Sequence, residues 1–206
     1  MNSSQTLPNF SSDYQEGAHA RVLDALVATN MEQSSGYGTD EHCERARDLI
    51  RGACAVPDAD VYFLVGGTKC GALFGEAVVI PERGSIRQFV TQMKQHGALL
   101  AKGRLLGVQF EALFEDGLYL TIGEPAVKAT ARIREALKRA GYVVTMDSPT
   151  NLTFVALDQA GHERLSDKVR YSIWETLPDG RYLARIGTSW ATPEEDVVAF
   201  EQALAR

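Results

Sequence analysis

Residues 61 to 76 read Val-Tyr-Phe-Leu-Val-Gly-Gly-Thr-Lys-Cys-Gly-Ala-Leu-Phe-Gly-Glu, an apolar run of strand length that stops at a lysine set among glycines. A second apolar run, 77–80, follows it, so 60–65 and 77–80 are expected as short strands flanking a turn. Both runs are apolar on both sides, the pattern of strands inside a sheet that is covered on two faces.

Lysine is ordinarily a solvated surface charge. Small and apolar neighbours desolvate Lys69, and desolvation lowers an amine's pKa toward nucleophilic use. Gly66, Gly67 and Gly71 leave room for a flat ring and offer backbone N–H groups to a phosphate, and the Thr68 hydroxyl adds a donor. The turn therefore suits pyridoxal phosphate (PLP) held as a Schiff base on Lys69. Spacing alone leaves open a plain Gly-rich turn with a lysine at its tip. A Walker A loop is the weaker rival, because it needs Gly-Lys-Ser/Thr opening a helix, whereas Thr68 precedes the lysine and Cys70-Gly71 follows it.

Composition narrows the classes. The 206 residues are 45% hydrophobic and 23% charged, an ordinary globular balance. A net charge of −6 argues against a general nucleic-acid surface, which needs clustered Lys and Arg. Arg132, Arg134, Lys138 and Arg139 are interleaved with apolar residues at helical spacing, as on a solvated helix face. No stretch reaches transmembrane length and the amino terminus lacks a signal-peptide apolar core, so no membrane association and a cytoplasmic location are expected. Cys43, Cys54 and Cys70 fit reduced thiols, with Cys43 and Cys54 expected in the core. The four histidines lack ligand spacing, and no metal is assigned.

Periodicity predicts a helix over 18–30 and a second after a cap at Thr39 or Asp40. Residues 85–116 read as helical with bends at glycines. Pro125 is placed in the first turn of a helix ending at Gly141. The tail reads as strands 142–145, 152–157, 171–175 and 181–187, a short helix at 160–168, and a last helix opened by a capping box at Thr192-Pro193-Glu194-Glu195. Strands 171–175 and 181–187 should form a hairpin about Asp179-Gly180, with helices on one sheet face. Two domains are expected, 1–120 and 121–206, the second α+β.

Four stretches carry a resemblance: 9–44 (NFSSDYQEGAHARVLDALVATN…SGYGTDEHCE), 66–82 (GGTKCGALFGEAVVIPE), 97–119 (GALLAKGRLLGVQFEALFEDGLY) and 184–196 (ARIGTSWATPEED). Together they resemble the threonine aldolase and β-eliminating lyase family, PLP enzymes of fold type I. The resemblance implies an α/β fold, a shortened transferase-like large domain with an α+β small domain. It implies a small amino-acid substrate and a homo-oligomer. The expected activity is cleavage of a β-hydroxy amino acid to glycine and an aldehyde, with β-elimination as the alternative. Lys69 matches the family's Schiff-base lysine, and Gly66, Gly67, Thr68 and Arg104 match its phosphate cradle. Arg185 matches the arginine that grips the substrate carboxylate, Ser12 lies near that carboxylate, and Tyr37 belongs to a loop that approaches the site. Read from the residues alone, Ser12-Asp13 is local capping or turn chemistry, Tyr37 ordinary packing, Arg104 a salt bridge and Arg185 a strand-face charge.

The resemblance also exposes a gap. In the family a first Gly-Gly-Thr-like loop and the lysine segment are separated by most of the large domain, whereas here they are fused at Gly66-Gly67-Thr68. The ring-stacking side chain and the acid that partners the pyridine nitrogen have no counterpart. A catalytically silent, shortened relative is therefore a second expectation.

Overall fold

The computed structural model describes residues 7–66 and 71–204. Lys69 and its neighbours Gly67, Thr68 and Cys70 lie outside the described residues. The chain divides into two compact units, Glu16–Thr121 and Met1–Gln15 with Ile122–Arg206. The expected first domain, 1–120, held the amino-terminal segment. That segment packs instead with the carboxy-terminal sheet.

The first unit holds α1 (Ala20–Ala28), α2 (Glu41–Cys54), β1 (Asp60–Leu64), β2 (Glu76–Ile80), α3 (Phe89–Gln95) and α4 (Arg104–Phe114). Asp40 caps α2, its carboxylate accepting from the Cys43 N–H at 2.9 Å, one of the two expected caps. The α1 cap is His19, whose Nδ1 accepts from the Arg21 N–H, so Ser12-Asp13 does not cap this helix. Strands β1 and β2 pair antiparallel from Asp60↔Ile80 to Leu64↔Glu76. Along β1 two arginines from α2 serve as edge donors: Arg47 Nε to the Val61 carbonyl (3.0 Å) and Arg51 Nε to the Ala59 carbonyl (2.9 Å). Guanidinium donors on strand carbonyls blunt an edge that would otherwise recruit another strand.

Helices α2 and α4 approach closely because Gly103 and Gly107 present no side chain. A Cβ on Gly107 would stand 2.6 Å from the Cys43 backbone nitrogen. Cys43 is fully buried there, and burial, with the Asp40 carboxylate adding to it, pushes its thiol up to about 12. It is an inert core group. Cys54, expected beside it in the core, is exposed at the last position of α2. Phe63 of β1 stacks on Phe110 of α4 with centroids 5.1 Å apart, tying strand to helix.

A charged cluster closes α2 onto α4. His42 Nδ1 lies 2.6 Å from Glu111 and its Nε2 2.8 Å from Glu32, with Arg45 also bonded to Glu111. Burial alone lowers the His42 pKa, but the bonds to Glu32 and Glu111 outweigh it and the nearby Arg45, so the net shift is upward. A raised folded-state pKa gives stability that is complete below the unfolded histidine value near 6.5 and is lost as pH rises through the folded value. The urea midpoint of this unit should therefore fall as pH rises from the unfolded histidine value through the higher folded-state value, and His42→Gln should flatten that slope. An unchanged slope in the variant would assign it to other groups.

The second unit begins within α5 (Leu118–Arg139), from Ile122 onward, and continues through β3 (Val143–Val144), β4 (Leu152–Leu157), α6 (Gln159–Ser166), β5 (Ser172–Thr176), β6 (Tyr182–Gly187) and α7 (Glu194–Leu204). Pro125 stands inside α5 rather than in its first turn, because the helix begins at Leu118. The sheet is antiparallel, in the order β3-β4-β6-β5. The expected β5–β6 hairpin forms, with a bulge between Ile173 and Glu175. No capping box opens α7: the Thr192 hydroxyl accepts from the Ser189 N–H.

One sheet face carries Val155, Leu157, Ala184 and Ile186 into a core shared with Ile133, Leu137, Leu165, Val197 and Phe200 of the helices. Phe10 joins that core at 0% exposure, edge-on to Phe200. Its backbone N–H donates to the Arg170 carbonyl, and its carbonyl accepts from the Gly187 N–H. Burying one such ring contributes about 2–3 kcal/mol, enough to hold residues 8–13 on this unit.

Candidate functional site

The helix-covered face leaves the opposite face of the sheet for chemistry. Directly paired residues share a face, and Arg185 of β6 pairs with Phe154 of β4 and Ser172 of β5. The amino-terminal segment runs beside them. The Ser11 carbonyl accepts from the Ser172 hydroxyl (2.7 Å) and from Arg185 Nη2 (3.1 Å). Asp13 accepts from Asn151 Nδ2 (2.9 Å), which also donates to the Thr188 carbonyl (2.8 Å). Two long-range amide bonds thus place Ser12 beside Arg185, a position that sequence order does not suggest.

Arg185 Nε and the Ser12 hydroxyl are both buried without a hydrogen-bond partner of ordinary geometry. Ser12 is 7% exposed. The Tyr14 hydroxyl stands against both: hydrogen bonding to Ser12 first, and then to Arg185, holds it below the usual tyrosine range, so this group of polar atoms favours an oxyanion. The Trp174 ring lies over the Arg185 guanidinium at 5.2 Å and meets Phe154 edge-on at 6.0 Å. Ser12 and Arg185, singled out in the sequence by resemblance, are brought side by side here, whereas Tyr14 and Trp174 were not singled out. Their only signal was a large aromatic at a polar position, which sequence alone does not separate from a surface ring.

In the first unit the described residues on either side of 67–70 are pinned. Val65 N–H donates to the Ala98 carbonyl, and the Gly71 carbonyl accepts from His19 N–H. Buried Gln109 takes the Leu73 and Phe74 N–H groups on its Oε1 at 2.7 and 3.2 Å and donates Nε2 to the Leu105 carbonyl. One side chain of α4 thus fixes the chain at Leu73 and Phe74, shortly after the segment that carries Lys69. Sequence reasoning missed Gln109, because a glutamine inside an amphipathic helix reads as solvated.

The remaining expected residues are placed differently. Arg104 Nη1 and Nη2 donate to the Thr29 and Asn30 carbonyls at 2.8 and 3.1 Å. The carbonyls at the α1 C-terminus answer this charge, so neither an anion nor a carboxylate is needed to explain Arg104. A Cβ on Gly66 would stand 2.5 Å from the Glu76 carboxylate, so an acid fills the space that this glycine leaves. Tyr37 sits at φ +59°, with Lys94 Nζ 5.7 Å from its ring, and lines a cavity of about 360 Å³ with Arg47, Tyr62 and Arg83. Among the described residues no cluster of metal-ligating side chains occurs, and no helix is long and apolar enough to cross a membrane.

No family model matches the chain, and no curated protein matches its sequence. Solved structures do match. The Leishmania major threonine aldolase chain is 22% identical with a TM-score of 0.83, the match covering 96% of this chain and 98% of that one. Serine palmitoyltransferase of Sphingomonas wittichii is 16% identical with a TM-score of 0.50, the match covering 95% of this chain and 53% of that one. The chain thus spans about half the length of the palmitoyltransferase. At these identities the likeness shows the fold, which is the α/β, fold type I architecture expected from the sequence.

Proposed function

We propose that the chain is a PLP-dependent carbon–carbon lyase of the threonine aldolase kind, cleaving a β-hydroxy amino acid to glycine and an aldehyde. The observation that carries this reading is the buried pair of Arg185 Nε and the Ser12 hydroxyl, neither with a hydrogen bond of ordinary geometry and both beside the Tyr14 hydroxyl, in a chain whose fold is like that of a threonine aldolase. Their chemistry suits a carboxylate, which an arginine edge and a hydroxyl can grip together. Arg185 binds and orients the amino acid by that group, and Trp174 and the Ser11 carbonyl fix the guanidinium beforehand.

The residues fit the cofactor unevenly. Lys69 would hold it through its amine, with Gly66, Gly67 and Thr68 at the phosphate. When bound, PLP supplies the electron sink that lets the Cα–Cβ bond break. At the phosphate end Arg104 is engaged by the Thr29 and Asn30 carbonyls. That observation favours a second reading, a catalytically silent relative that keeps the carboxylate seat.

Mixing the purified chain with PLP, reducing with borohydride and mapping the peptides should place the adduct at Lys69, and Lys69→Ala should abolish it. A dominant adduct at Lys94, Lys102 or Lys128 would sink the first reading. Glycine and aldehyde release then separates the lyase from the silent relative, and ammonia release would indicate β-elimination.

A further inference from the structure

The second unit holds an open cavity of about 590 Å³ that shares no residue with the Arg185 site. Three cations line it, and two of them are answered. Arg181 is bonded to the Asp179 carboxylate at 2.8 and 2.7 Å, and Lys168 Nζ donates to the Ala203 carbonyl at 2.6 Å. Arg164 has neither a hydrogen bond nor an ion pair among the described residues. Asp158, the acid on the same wall, accepts from the Gly161 N–H on Oδ1 at 2.6 Å as the α6 cap, and its other oxygen takes no hydrogen bond among those residues. The uncommitted ends meet over Gly161. A Cβ there would stand 2.9 Å from Asp158 Oδ1, 3.3 Å from the Tyr142 ring and 3.9 Å from Arg164 Nη2, so a carboxylate, a ring edge and a guanidinium converge where a side chain is missing.

One uncommitted cation beside one uncommitted carboxylate oxygen calls for a ligand that carries both charges. An anion alone would meet Asp158 and the carbonyl ends of α5 and α7, which bring partial negative charge to the cavity wall at Ala140 and Ala203. A cation alone would meet Arg164. The cavity is larger than two charged groups need, and Tyr142, Leu165 and Leu204 give it an apolar wall, so there is room for an apolar side chain. We propose that this cavity binds a free α-amino acid with an apolar side chain, its carboxylate on Arg164 and its ammonium on Asp158. An α-amino acid carries its two charges on one carbon, which suits two side-chain ends that both approach Gly161. The site does not depend on the reading of Arg185 as a carboxylate seat.

The test is a calorimetric titration of the full chain carrying Arg185→Ala, which silences the other seat, with L-leucine, N-acetyl-L-leucine and L-leucinamide. L-Leucine should bind, and each analogue, which lacks one of the two charges, should bind about tenfold more weakly or worse. Arg164→Ala and Asp158→Asn should each weaken L-leucine by about the same factor. Asparagine still caps α6, so Asp158→Asn removes the charge and keeps the helix, which a melting curve checks. No binding of L-leucine, an analogue that binds as well as L-leucine, or an unchanged affinity in either variant would overturn the proposal.

Discussion

Gly107→Ala is expected to destabilise the first unit by about 3 kcal/mol, against the usual direction for a helical glycine. In an open helix the same change stabilises by about 1 kcal/mol, because alanine loses less backbone entropy. At Gly107 the new methyl would stand 2.6 Å from the Cys43 backbone nitrogen, and neither is the end of a flexible side chain. The helices must separate, and the packing of Leu106, Leu113 and Ile50 loosens with them. Gly52 of α2 is the internal control, since nothing lies within 4 Å of a Cβ there. Urea titration should move the midpoint down for Gly107→Ala and slightly up for Gly52→Ala. Equal shifts of one sign in both would show that the close approach of α2 and α4 carries no such energy.

Arg185→Ala should weaken amino-acid binding by about a hundredfold or more, because removing one partner of a desolvated charge pair costs about 2–5 kcal/mol. The loss should be specific. Arg185 is held by one carbonyl bond and a ring face, not by the helix-covered core, so the thermal midpoint should move by only a few degrees. Calorimetric titration with L-threonine checks the first statement and a melting curve the second. Retained affinity would remove Arg185 from the site, and a collapsed melting curve would make it structural.

These two predictions draw on different levels of the chain. Much of the fold was legible because its signals are local. The apolar runs gave β1 and β2, the aspartate before a helical stripe gave the α2 cap, and Asp179-Gly180 between two apolar runs gave the β5–β6 hairpin. Ser12 and Arg185 were legible only through resemblance, since neither residue's neighbours say that the other is near.

The sequence by itself determined the periodicities, the turn chemistry and the lysine among glycines, all of which act within a few residues. Only the tertiary structure decided where long-range partners fall. It drew residues 8–13 onto the carboxy-terminal sheet through Phe10, used Arg104 on the α1 carbonyls, and set Gln109 to hold Leu73 and Phe74. It left Cys54 in water and turned Trp174 onto Arg185. The physical reason is common to all of them. A helix or turn is stabilised by bonds between near neighbours, whereas a guanidinium, an amide or an indole takes the best partner that the folded chain brings within reach, and that choice is made across tens to hundreds of residues.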